Sequence, residues 1–155
     1  NPINGYNRNL KQSEISLLFK HKFIWECMFK YDIKNVLVLE DDVVLVDNFV
    51  DKFNNQIREL DENYDVLWVG SCCNLHTMSN ENKFIYKHGG SRCTHGYMIS
   101  NKAARKMIDF FNINNLPADF MFNSAIRYYN FNNYWMEPDL IKQRDISIYR
   151  FLGRV

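Results

Sequence analysis

Glycine and proline are scarce in this chain of 155 residues, at six and three. No Pro/Gly/Ser-rich linker divides it and no internal repeat stands out, so a single domain over residues 1–155 is expected. No apolar stretch approaches the roughly 20 residues that a membrane-spanning helix needs, which excludes such a span from this chain. Charge of one sign is lacking too. The formal net charge of +1 leaves no basic field of the kind that nucleic acid or an anionic membrane would demand. Four cysteines, Cys27, Cys72, Cys73 and Cys93, are too few and too irregular for a disulfide scaffold, and reduced, partly buried thiols are expected. No Asn-x-Ser/Thr sequon occurs among the many asparagines, which leans towards a cytoplasmic setting without fixing the compartment.

What is present is a 46% hydrophobic composition, enough for a sizeable core. After Ser13, a helix cap, the three–four spacing of Ile15, Leu18, Phe19, Lys22, Trp25 and Phe29 predicts a helix. Residues 36–39 are short, β-branched and not alternating, which suits a strand covered on both faces of a mainly parallel sheet. A helix is predicted over residues 49–60, a strand at 65–70 and a long functional loop over 71–92. A strand at 96–100 follows, with a helix at 102–111 capped by Asn101, a helix at 118–129 after Pro117, and an extended YWMEPDLI. Strands alternating with helices indicate an α/β sandwich with a mainly parallel central sheet flanked by helices.

The chemistry concentrates in VLVLEDDV. Unpaired carboxylates are costly in an apolar run, yet Glu40, Asp41 and Asp42 stand where the strand should end. Ligands gather at the carboxyl ends of strands in open α/β sheets. Alternation puts Glu40 and Asp42 on one side and Asp41 on the other, and two acids on one side suit a hard divalent cation bridging nucleotide phosphates. The bland alternative is a turn braced by Asp41 or Asp42, with the remaining acids in solvent.

Six pieces, in order, resemble glycosyltransferase family 25, which includes bacterial lipopolysaccharide-type sugar transferases and procollagen galactosyltransferases. They are EISLLFKHKFIW (Glu14, Ile15, His21, Trp25), VLVLEDDV, YDVLWVG, GYMISNKAARKMI (Tyr97, Ile99, Ser100, Ala104), LPADFMFN (Pro117, Asp119) and EPDLIKQ (Pro138, Gln143). Lys20 and Ala103 depart from the family's Ser and Gly. The resemblance implies a GT-A-like, Rossmann-like fold apparently lacking the first βα unit, so that the chain is expected to be the C-terminal portion of a longer catalytic domain, a shortened relative, or a domain that needs a partner segment. It implies a metal-dependent, inverting transferase moving sugar from a UDP-linked donor to a hydroxyl of a glycan, a lipopolysaccharide or a protein. Asp42 and Glu40 would ligate Mn²⁺ or Mg²⁺, with Glu40 and Asp41 also beside the nucleotide.

The remaining candidates carry two readings each. Asp119 is either a general base for the acceptor hydroxyl or a residue settling a helix start. His21 is a hydrogen-bonded core histidine or a nucleotide contact, and His95 a third metal ligand or none. Arg92, beside Gly89 and Gly90, would neutralise phosphate unless that loop only turns. Gln143 and Asp145 are minor ligand candidates. A non-catalytic nucleotide-sugar or glycan-binding module is the first alternative function, and a metal-dependent phosphohydrolase or nuclease the second.

Overall fold

The computed structural model describes residues 8–72, 83–112 and 116–144. In chain order the elements are α1 (Gln12–Lys30), β1 (Asn35–Leu39), β2 (Val43–Leu45) and α2 (Phe49–Gln56), which runs into a 3₁₀ turn. Then come β3 (Val66–Trp68), β4 (Ile85–Lys87), β5 (Gly96–Ser100), α3 (Asn101–Phe111), α4 (Ala118–Tyr129), β6 (Asn133–Met136) and β7 (Ile141–Gln143). Among the described residues no helix is long and apolar enough to cross a membrane.

The apolar runs become strands whose alternate side chains serve two cores. Val38, Val66, Trp68, Tyr97, Ile99 and Trp135 join the α1, α3 and α4 core on one face. Leu67, Val69, Ile85, Met136 and Ile141 form the other, with Phe49 and Phe53 of α2 packed against it. Burial on both faces is complete in β3, whereas in β1, where the non-alternating pattern predicts it, Val38 is buried, Val36 and Leu37 are half-buried and Leu39 is exposed. Trp25, Trp68 and Trp135 are fully buried, and each contributes roughly 4–6 kcal/mol of transfer free energy at about 25 cal/mol per Å².

The expected mainly parallel sheet is not what forms. The five strands lie in the order β1-β5-β3-β6-β4, and only β3–β6 pair in parallel. Burial on both faces reports that a strand is covered, and any strand direction satisfies it. β5 inserts between β1 and β3 and runs opposite to both, while β1, β3 and β6 share one direction. Their carboxyl ends therefore emerge on one rim, the rim where β5 begins. A separate ribbon pairs β2 with β7 antiparallel.

Three local expectations also shift. The buried stripe of α1 is Leu18, His21, Trp25 and Met28, while Ile15, Phe19 and Phe29 are exposed. A polar histidine can replace an apolar residue in that stripe because the core offers its ring a hydrogen-bond partner. Glu14, not Ser13, settles the start of α1, its carboxylate accepting the Lys11 backbone N–H at 2.7 Å. At α3 the cap is Ser100, whose hydroxyl accepts the Ala103 N–H at 3.3 Å, while Asn101 donates to the carbonyls of Met28 and Ile33. Cys72 and Cys93 are joined in a disulfide, correcting the expectation of reduced thiols for that pair. Cys27 is free, and Cys73 lies outside the described residues.

Candidate active site

Val36 and Val38 belong to the core beneath α1, and alternation along β1 carries Glu40 to that same side. The ladder extends one residue past the strand, since Glu40 N–H donates to the His95 carbonyl at 3.1 Å. The Glu40 carboxylate is thus set by backbone pairing at the sheet rim. Its Oε1 accepts the Thr94 hydroxyl at 2.6 Å and lies 3.5 Å from His21 Nε2. Burial pushes this carboxyl up, but His21 and the Thr94 hydroxyl, with the electrostatic pull of the His21 and His95 rings, outweigh it. Glu40 titrates below its ordinary 4.5.

Behind Glu40 lies a buried polar chain. His21 Nδ1 is 2.9 Å from the Tyr97 hydroxyl, which also accepts the Trp25 indole N–H at 3.2 Å. Burial drives the Tyr97 phenol well above its usual range; the Trp25 hydrogen bond opposes this and the Glu40 charge adds to it.

Two clefts share Glu40 as a wall. The first, about 240 Å³, is lined by Glu14, Glu40, Thr94, His95, Asp119 and Gln143, among others. The second, about 190 Å³, runs between Lys20, His21 and Ile24 of α1 and Leu39, Glu40 and Asp41. Asp119 enters the first cleft from the opening turn of α4. Its Oδ1 accepts the neighbouring Phe120 N–H at 2.9 Å, and its carbonyl accepts the Ser91 hydroxyl at 3.2 Å. Glu40 and Asp119, 79 positions apart by number, are brought to one cleft.

The other candidates separate. Asp41 is exposed on the second cleft. Asp42 lines neither cleft; it stands before β2, where its Oδ2 accepts the Gln143 side-chain amide at 2.7 Å. Its Oδ1 is buried with no hydrogen-bond partner among the described residues. Gln143, a minor candidate from sequence, therefore links Asp42 to the first cleft, and Asp145 lies outside the described residues.

Arg92 sits apart from the two clefts described above. It is buried, pairs with Glu137 at 2.8 Å, donates to the Met136 carbonyl at 3.1 Å and stacks over Trp135 at 4.5 Å. These contacts set the Arg92 guanidinium in the interior at the end of β6. His95 is buried against Gly70, where an added Cβ would sit 2.6 Å from its Nε2. Among the described residues no three His, Cys, Asp or Glu side chains converge as metal ligands, so His95 does not complete a set with Glu40 and Asp42. Thr94 was not foreseen. Its only sequence signal is its place just before the GYMIS strand, which becomes informative once that strand is paired with β1.

The acids still suit a divalent ion of one kind. Mg²⁺-type sites commonly use one or two carboxylates and take their other oxygens from water and substrate phosphate. Asp42 fits that pattern: one oxygen is buried without a partner among the described residues, and the other is held by a neutral amide that a cation can replace.

The family model "Glycosyltransferase family 25 (LPS biosynthesis protein)" matches residues 3–122. The procollagen lysyl hydroxylase and glycosyltransferase of Acanthamoeba polyphaga mimivirus is similar, at 33% identity over 86 residues. That match covers 54% of this chain and 10% of the viral protein, so the chain spans about a tenth of that relative's length. The family match takes in α1, the acid triplet, β5 and the opening of α4, and on it the chain belongs to glycosyltransferase family 25.

Proposed function

We propose that this chain carries a sugar-transfer site of the GT-A type, using a UDP-linked donor and a hydroxyl of a glycan, lipopolysaccharide or protein as acceptor. The observation that carries the reading is the shared cleft of Glu40 and Asp119. The common direction of β1, β3 and β6 supports it, because their carboxyl ends form one ligand-binding rim. Glu40 binds the ribose or orients the diphosphate. Asp119 takes the proton from the acceptor hydroxyl as its oxygen attacks the anomeric carbon. The sugar–phosphate bond breaks on the opposite face, UDP leaves with the bonding pair, and the configuration inverts. Asp42, with Glu40, would hold Mn²⁺ or Mg²⁺, which supplies positive charge for the departing diphosphate.

The test is UDP release from UDP-galactose and UDP-glucose, with Mn²⁺ and a panel of hydroxyl acceptors. Turnover by the wild-type protein is expected, with kcat about 10²–10⁴-fold lower in Asp119→Asn and the fold retained by circular dichroism. Unchanged kcat in that variant removes Asp119 as the base. Phosphate release without a glycosylated product would assign the site to hydrolysis.

A further inference from the structure

The chain of buried groups behind Glu40 has a direction, and chemistry fixes it. Indole nitrogen only donates, so Trp25 Nε1–H uses one lone pair of the Tyr97 oxygen at 3.2 Å. Tyr97 is fully buried, and its single proton needs an acceptor. The His21 Nδ1, 2.9 Å away, is the ring atom placed to accept it. A ring that accepts at Nδ1 carries its proton on Nε2, and Nε2 is the nitrogen that faces Glu40 Oε1 at 3.5 Å. The opposite tautomer would leave the Tyr97 proton without this partner and turn a lone pair towards a carboxylate.

We propose that His21 is a positioning residue: Trp25 and Tyr97 lock it in the Nε2–H tautomer, so that it aims one N–H at Glu40 and holds that carboxylate at the wall between the two clefts. Thr94 holds the same oxygen from β5's side at 2.6 Å, so Glu40 is held by a sheet residue and faced by a helix residue. The 3.5 Å separation is long for a hydrogen bond, and it is a gap that closure around a ligand can shorten. This explains why α1 spends a position of its buried stripe on a histidine, and why a phenol and an indole N–H sit in an otherwise apolar core.

The proposal takes its purpose from the sugar-transfer reading, so its test has one arm that needs no turnover. Imidazole ¹⁵N spectra of the folded protein at pH 7.5 should show His21 with a protonated Nε2 and a bare Nδ1. In Tyr97→Phe that single tautomer should give way to a mixture. An Nδ1–H ring, a doubly protonated ring, or a spectrum unchanged by Tyr97→Phe overturns the proposal whatever the protein catalyses. The second arm compares His21→Gln, whose amide can donate from a similar place, with His21→Leu. The Leu variant should raise the donor KM about tenfold or more while the Gln variant recovers most of it. Equal losses in the two, with both folded, overturn it. Should the wild type show no turnover, the sugar-transfer reading fails and the spectra alone decide the role of His21.

Discussion

Glu40 and Asp42 are two residues apart in one acidic triplet, yet different elements of the fold hold them. Glu40 continues a strand of the five-stranded sheet, and its carboxylate is held by Thr94 and approached by His21. Beneath it lies an aromatic cluster in which Phe122 stands 5.0 Å from Trp68 and 4.9 Å from Tyr97. Asp42 leads into a ribbon of two three-residue strands, where Val44 and Leu45 are exposed and the exposed Gln143 side-chain amide holds the carboxylate. One acid is placed by the core, and the other is left able to exchange its partner. On the proposed reading, the first acid would fix a donor and the second would admit and release an ion with it.

The sharpest way to break this contrast is to remove its foundation. Trp68→Ala deletes a fully buried ring and its hydrogen bond to Asn133, and should cost about 3–5 kcal/mol in urea unfolding. Gly70→Ala strikes the rim directly, because the new methyl would meet His95 Nε2 at 2.6 Å and Ile141 O at 3.1 Å. A loss of about 1–3 kcal/mol is expected, with a weaker donor KM as the segment facing Glu40 shifts. On the ribbon side, Gln143→Ala should lower stability by only about 0.5–1.5 kcal/mol, read by the same unfolding assay, because the bond it removes is exposed. A loss as large as that of Trp68→Ala would mean that the ribbon is as rigid as the sheet.

The smallest effect appears only in alkali. The Tyr97 phenol is raised above its ordinary 10.0, chiefly by burial, so the neutral form is favoured in the fold. Its contribution to stability is fully present below pH 10 and is lost as pH rises beyond it. Unfolding measured between pH 9 and 11 should steepen in the wild type and flatten in Tyr97→Phe.

Much of this fold was legible because period and capping are local. The helices at 12–30, 101–111 and 118–129 and the strands at 35–39, 66–68 and 96–100 lie close to where the residue patterns put them. Strand direction was not legible, since Val36, Leu37 and Val38 report only that both faces are covered. β2 and β4, three residues each, are too short to show a period, and β4 fell within a stretch read as loop. The Cys72–Cys93 pairing and the Arg92–Glu137 pair join positions with no local signal. Glu40 was singled out by its place at a strand end and Asp119 by its helix start together with the Pro-x-Asp resemblance, and the fold sets both on one cleft. The split between Glu40 and Asp42 needed the ladder, because alternation alone puts them on one side.

The central claim is that the end of β1 holds a nucleotide diphosphate rather than bracing a turn. Calorimetric titration of UDP with Mn²⁺ into the wild-type protein, Glu40→Gln and Asp42→Asn tests it most directly. The account predicts saturable binding by the wild type and at least about tenfold weaker binding by each variant, with the folds intact. Equal UDP affinity in all three proteins would contradict it.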